Sequence, residues 1–199
     1  PVTTQNYEIG ARTAISTWGE AAVALFQIDA RNEILFTCQL CDFSFGDGQN
    51  RNVEKTRRRG IEGTFKARVN QYLDGILNYT YTQAEYRTAF NLDSARTVEV
   101  GDTLPQVPKN RLSFTANAHP VDGLTVSLIG LYVSSQFYLN DESNVQPKLP
   151  GYFALNSRIS YERRVPGGRL TGFFMINNML DQTYSTSGIM AVNVLTGGG

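Results

Sequence analysis

Cys38 and Cys41 are the only cysteines of the chain, and a Cys-x-x-Cys pair can close a disulfide, hold a metal or shuttle electrons. A bridge needs an oxidising compartment and a turn that brings the two Cα atoms within about 7 Å. Zinc needs two further ligands, and no second cysteine pair or histidine cluster is present to supply them. A redox motif belongs in a thioredoxin-like strand–helix–strand unit, which the flanking residues do not spell. The disulfide is the favoured reading, and two alkylated cysteines in mass spectrometry without reductant would rule it out. The single histidine, His119, sits in a turn beside Pro120 and Asp122. A catalytic base needs a nucleophile and an orienting partner in reach. Nothing marks either one, so His119 is expected as a solvent-exposed turn residue and no catalytic residue is expected. Asp42, Asp47, Asp141 and Glu142 lack the regular ligand spacing of a calcium loop. They read as solvated loop carboxylates, and Gly46-Asp47-Gly48 has no phosphate-loop context. No metal and no cofactor is expected.

The elements that must carry these residues are strands. Period-two alternation runs through the chain, most cleanly at 60–69, where Ile61, Gly63, Phe65, Ala67 and Val69 alternate with Glu62, Thr64, Lys66 and Arg68. Leu77, Tyr79 and Tyr81 oppose Asn78, Thr80 and Thr82; Leu112, Phe114 and Ala116 oppose Ser113, Thr115 and Asn117. Phe153, Leu155, Ile159 and Tyr161 face away from Asn156, Arg158, Ser160 and Glu162. The segment 19–33 alternates imperfectly, with Ala22, Ala24, Phe26 and Ile28 on one side and Val23, Leu25 and Gln27 on the other. Strands are expected at 6–14, 19–33, 60–69, 73–82, 111–118, 124–138, 152–162 and 169–178. The stretch 124–133 is apolar on both sides, which leaves its facing open.

Connections between these strands alternate in length. Residues 16–18, 71–72, 119–123 and 165–168 are tight turns, whereas 34–52, 85–108 and 140–151 are long. Antiparallel strands joined by short turns at one end and long loops at the other are the layout of an outer-membrane barrel. Hydropathy neither requires nor forbids this: the chain is 41% hydrophobic, and no run of 18 apolar residues exists for a spanning helix. A barrel strand needs only about ten tilted residues with one apolar face. Eighteen basic residues balance eighteen acidic ones, so no nucleic-acid partner is expected, because phosphate binding requires a basic surface.

Two groups sort with these ends. Trp18, Tyr72 and Tyr161 lie at the short-turn end, where an aromatic girdle would meet lipid headgroups; ordinary packing near turns is the alternative. At the other end, Lys55, Arg57 and Arg59 share the face of Ile61 and Phe65 but lie above the apolar band. They are expected to snorkel to anionic lipid headgroups, a solvated charge run being the alternative.

The segment Asn177-Asn178-Met179-Leu180-Asp181-Gln182-Thr183-Tyr184 resembles the Asn-Leu-Phe-Asp-x-x-Tyr signature near the C-terminus of TonB-dependent outer-membrane receptors. The matching positions are Asn178, Leu180, Asp181 and Tyr184, with Met179-Leu180 in place of Leu-Phe. Tyr7-Glu8-Ile9-Gly10, Arg59-Gly60-Ile61-Glu62, the stretch from Leu104-Pro105 to Arg111-Leu112, and Leu149-Pro150-Gly151-Tyr152 are similar to further phrases of that family, in its order. The resemblance covers essentially the whole chain but only the last portion of the family's 22-stranded barrel. It implies an all-β, antiparallel transmembrane barrel segment of about eight strands, with short periplasmic turns and long extracellular loops. Residues 1–199 would then be a partial C-terminal barrel domain, with plug, signal peptide and final strand elsewhere; the start at Pro1 and the stop at Gly197-Gly198-Gly199 are read as cut ends.

The implied function is energy-coupled uptake of a large scarce solute, most often a ferric siderophore, across the outer membrane of a Gram-negative-type bacterium. The implied partners are outer-membrane lipid, the plug of the same protein, the transported solute, and TonB through a segment absent from this sequence. Glu62, Lys66, Arg68, Asn78, Thr80 and Arg158 would line the lumen. Phe36, Phe43, Phe45, Phe137 and Tyr138, near the loop bases, are placed to grip a bulky solute. Two other readings stay open: a self-contained eight-stranded outer-membrane barrel acting as adhesin or enzyme, and a soluble lipocalin-like binding barrel.

Overall fold

The structure is a computed structural model and describes residues 1–38, 48–92 and 96–190; the side chains of 37, 38, 48 and 49 are not described. Among the described residues ten strands follow one another: β1 (Thr3–Ile15), β2 (Gly19–Cys38), β3 (Gly48–Asn70), β4 (Leu73–Tyr86), β5 (Phe90–Asn91), β6 (Thr97–Val98), β7 (Asn110–Ala118), β8 (Leu124–Val133), β9 (Tyr152–Val165) and β10 (Gly168–Ile176). Eight form one antiparallel sheet in the order β1-β2-β3-β4-β7-β8-β9-β10, and β5 pairs only with β6. The expected eight-stranded segment is therefore present, as an open sheet with β1 and β10 at its edges.

Local chemistry sets the tight turns. Ser16 adopts φ 60° in the first and Gly123 φ 80° in the third. In the second, the Asn70 side chain accepts the Tyr72 amide at 2.7 Å, an Asx-type turn beside a bulge between Arg68 and Asn70. Pro166-Gly167 makes the fourth, with Gly167 at φ 89°.

Register fixes which side chains share a face. Ile9, Leu25, Ile61 and Tyr81 form one continuous cross-strand row, and Ala21, Phe65, Leu77, Phe114 and Gly130 another. The same face collects Leu112, Leu128, Tyr132, Ile159 and Phe174. Most of these large groups stay exposed, Leu25 at 54% and Phe174 at 64%. A contiguous apolar surface of this extent requires a lipid or protein partner. The pairing also settles β8: Leu124, Val126, Leu128 and Tyr132 lie on the apolar face, and Thr125, Ser127, Ile129 and Leu131 on the other.

The opposite face carries Glu62, Lys66, Arg68, Asn78, Thr80 and Arg158, as the alternation predicts. Its polar groups are joined across strands: Thr64 donates to Asn78 at 3.0 Å, and Arg12 and Lys66 flank Glu20 at 3.2 and 3.8 Å. Phe26 on β2 and Phe173 and Met175 on β10 interrupt it, and the Arg158 guanidinium lies 4.7 Å from the Phe173 ring centre.

Three boundaries differ most from the sequence reading. β2 and β3 extend far past 33 and 60. Asn32, at φ 55°, breaks the alternation, so that Glu33 and Leu35, not Ile34 and Phe36, lie with Thr56, Arg58 and Val53. β8 stops at Val133, since 134–138 turns away into a loop that bridges to Leu149 through Gln136 and bonds back to Asn110 through Ser134.

Candidate functional site

The main buried apolar cluster lies at the long-loop end, not between layers of the sheet. Val53, Ala84, Tyr86, Val98 and Leu104 are its core, with Leu35, Phe90, Leu92 and Val107 packed around it. The β4–β7 connection builds it by returning along β4: the Tyr86 amide donates to Asp102 and the Leu104 amide to Ala84. Phe90 meets Tyr86 edge to face at 5.5 Å, and the Arg51 guanidinium covers the Phe90 ring at 5.2 Å.

The β8–β9 connection is folded by its own acid. Asp141 accepts the amides of Val145 and Gln146 at 3.0 and 3.2 Å. This turn presents Asn144 to the neighbouring loop: its amide nitrogen donates to the Thr103 carbonyl at 2.9 Å, and its side-chain oxygen accepts the Thr103 amide at 2.6 Å. A side-chain amide thus pairs with a backbone peptide as another strand would. Asp141 and Glu142, expected in solvent, are 3% and 4% exposed. Burial pushes the Glu142 carboxyl above its ordinary range. The Tyr86 phenol is pushed up as well, first by burial and then by the Glu142 and Glu33 carboxylates. Beyond the apolar band, Glu33 is half-buried, and there desolvation is outweighed by hydrogen bonds from Arg58 and Thr56, which keep its carboxyl below the usual range.

The signature residues start the third loop. Asn178 adopts φ 52°, donates to the Gln182 carbonyl at 3.0 Å and accepts the Gln182 amide at 3.2 Å. Its own amide donates to the Asn156 side chain at 2.8 Å. Asp181, at φ 47°, donates its amide back to the Asn178 carbonyl. Tyr184 then stacks on Tyr152 at 4.3 Å and 9°, whereas Leu180 stays 48% exposed. The motif is a turn that folds the chain after β10 back over β9. From there it locks onto the other two loops: Gly188 accepts from Leu139 and from the Gln106 side chain, Met190 donates to Leu139, and Tyr138 lies against Gly188.

The remaining expected residues are dispersed. Arg57 is held by Asp29 at 2.6 Å, Arg59 by the Gln83 side chain, and Lys55 lies 3.5 Å from Glu54. Trp18, Tyr72 and Tyr161 are all near half exposed at the short-turn end, Trp18 edge-on to Phe65. His119 is not a free turn residue: Asp74 lies 2.6 Å from its Nε2 and Thr125 3.2 Å from its Nδ1, tying β4 to the β7–β8 turn. Phe137 lies under the Lys148 ammonium at 4.6 Å. Cys41, Asp42, Phe43, Phe45 and Asp47 fall outside the described residues, as does the Cys38 side chain and with it the expected bridge. Among the described residues no group of three or more His, Cys, Asp and Glu side chains could hold a metal ion. Sequence reading missed Asn144 and Gln106, whose partners are backbone groups of other loops. Only the turn-forming Asn-rich composition hinted at them.

Residues 1–179 match the model of a family described as TonB dependent receptor-like, beta-barrel. The ferrichrome outer membrane transporter/phage receptor of Escherichia coli K12 is 28% identical over 169 residues, 82% of this chain and 20% of that protein. The ferric yersiniabactin uptake receptor of Yersinia pestis superposes with a TM-score of 0.70 at 18% identity, over 96% of this chain and 27% of its own. A copper transporter does so with a TM-score of 0.69 at 16% identity, over 94% and 27%. This chain spans from a fifth to just over a quarter of the length of these proteins.

Proposed function

The chain belongs to the TonB-dependent receptor-like β-barrel family, and from that premise we propose that it forms part of the wall and the outer loops of an active transporter in the outer membrane, most favourably one for a ferric siderophore. The observation that carries this is the division of one sheet into a continuous apolar face and a polar, cross-bonded face, with every long loop at one end. Lipid on one side and a wet lumen on the other is the arrangement that makes both faces favourable. A soluble lipocalin-like barrel would turn polar groups outward, against Leu25, Phe65 and Phe174. Residues 1–199 are, on this reading, a partial barrel domain.

The partners follow from the two unsatisfied edges and the mixed inner face. β1 and β10 need neighbouring strands of the same protein, and Phe173, 68% exposed on the inner face, suits contact with a plug. TonB would act through a segment outside this chain. The segment performs no catalysis; its loops close over solute, with Tyr138, Tyr152 and Tyr184 as aromatic contacts. The test is growth of the parent bacterium with the full gene deleted, under iron starvation with single ferric siderophores supplied. Loss of growth on at least one of them, restored by the gene, is expected. Undiminished growth on all of them, with a defect only when copper or another solute is limiting, would contradict the cargo.

A further inference from the structure

The β8–β9 connection turns three consecutive polar residues inward: Asn140, Asp141 and Glu142 are all buried. Asp141 is answered by the amides of Val145 and Gln146. The Glu142 carboxyl has no hydrogen-bond partner among the described residues beyond its own backbone amide. The charged and titratable groups that face it are Tyr86 of β4, Arg96 of the β4–β7 connection and Asp141 beside it; Asp102, Glu33 of β2 and Arg58 of β3 surround Tyr86 in turn. Glu33 already holds Arg58, and the buried Tyr86 hydroxyl has no hydrogen-bond partner among the described residues. A carboxylate at 142 would thus add its charge to those of Asp141, Asp102 and Glu33. Burying an ionised carboxylate without matching donors is strongly unfavourable.

One side of this contact is fixed and the other is built to move. The β4–β7 connection is tied to β4 by the Tyr86, Gly101 and Leu104 amides, which donate to Asp102, Tyr86 and Ala84. Residues 140–146 meet it through the Asn144 pair with Thr103, while the paired backbones of Gln136 and Leu149 close the base of their loop. Asn140 and Asn144 stand at φ 69° and 56°, left-handed conformations that a residue with a side chain keeps only where its surroundings impose them. We propose that Glu142 is a proton-operated latch of the outer cap: protonated, it keeps residues 140–146 seated on the β4–β7 connection, and ionised, it lifts them off, breaks the Asn144 pair with Thr103 and opens the cap to solute. Burial raises the folded carboxyl above its unfolded value, so the latch is complete below about pH 4.3. Above that, the ratio of open to closed cap rises by up to about tenfold per pH unit, and it levels off past the folded value.

The inference rests on the reading of these loops as the outer cap of a transporter, and the experiment separates the two. Val100 and Val145, exposed on the two connections, are replaced by cysteine in the full-length receptor, with Cys38 and Cys41 changed to serine. Labelling on intact cells by a maleimide–polyethylene glycol too large for porins is expected; its absence would overturn the outer-cap reading. Spin labels on the same two cysteines, in purified receptor in bilayers without solute, then report the distance between the connections by double electron–electron resonance from pH 4 to 9. One short distance is expected in acid, with a longer population growing as pH rises. Glu142→Gln should keep the short distance at every pH. Asn144→Ala, which leaves the carboxyl in place, should open the cap about one pH unit lower, the loss of one to two hydrogen bonds. A distance that does not change with pH in the parent, or the same pH response in Glu142→Gln, would overturn the latch.

Discussion

Asn178 performs several tasks that no other residue type combines: a left-handed backbone, a reciprocal bond to Gln182 and an amide aimed at Asn156. Asn178→Gly keeps the backbone and loses the side-chain bonds, whereas Asn178→Ala loses both. The alanine variant is therefore expected to be the less stable by about 1–2 kcal/mol, read as the midpoint of heat-modifiable migration of the full barrel. Glu142 gives a pH signature. Its folded carboxyl titrates above its unfolded one because burial disfavours the charge. Its contribution to the folded loop is thus complete below the unfolded pKa, about 4.3, and declines as pH rises through the folded value. Protection of the amides of residues 140–150, after division by their intrinsic exchange rates, should fall between those two pH values, and Glu142→Gln should remove that fall. An unchanged profile in the variant would assign the effect elsewhere.

At the scale of elements, two glycines report how closely the strands are packed. A Cβ on Gly60 would run into the Tyr81 carbonyl oxygen and meet the Phe26 ring at 2.8 Å, while one on Gly63 meets nothing within 4 Å. Gly60→Ala is expected to cost about 1–3 kcal/mol and Gly63→Ala close to nothing, measured by the same midpoint. The loops couple through Asn144, so Asn144→Ala should speed exchange at Thr103 about tenfold, the loss of one to two hydrogen bonds, and leave β7 untouched. Strands and tight turns were legible in the sequence because Ile61 to Val69 and Phe153 to Tyr161 carry their facing in alternate residues, and Pro166-Gly167 spells its turn. The extension of β2 was not, since Asn32 shifts the alternation and Ile34 and Phe36 then point the wrong way for a naive reading. Nor was the burial of Asp141 and Glu142, or the bond of His119 to Asp74, because each depends on segments distant in sequence. Backbone contacts such as Gly188 with Leu139 leave no residue signature at all.

For the whole molecule, a single sheet with exposed apolar and polar faces and free edges is stable only inside something larger. The cations Arg31, Lys55 and Arg87, the ion pair of Asp29 with Arg57 and the apolar band stack in the order of a membrane boundary, and the β4–β7 loop, the β8–β9 loop and the segment after β10 knit into one cap above them. The central claim, that β3 separates lipid from water, is tested most directly by spin-label accessibility in the full-length protein in bilayers, with Cys38 and Cys41 replaced by serine. Labels are placed singly from 61 to 68. The account predicts that 61, 63, 65 and 67 are relaxed by oxygen and shielded from a water-soluble nickel reagent, with 62, 64, 66 and 68 showing the reverse. Accessibility without that alternation, or with its phase inverted, would contradict it.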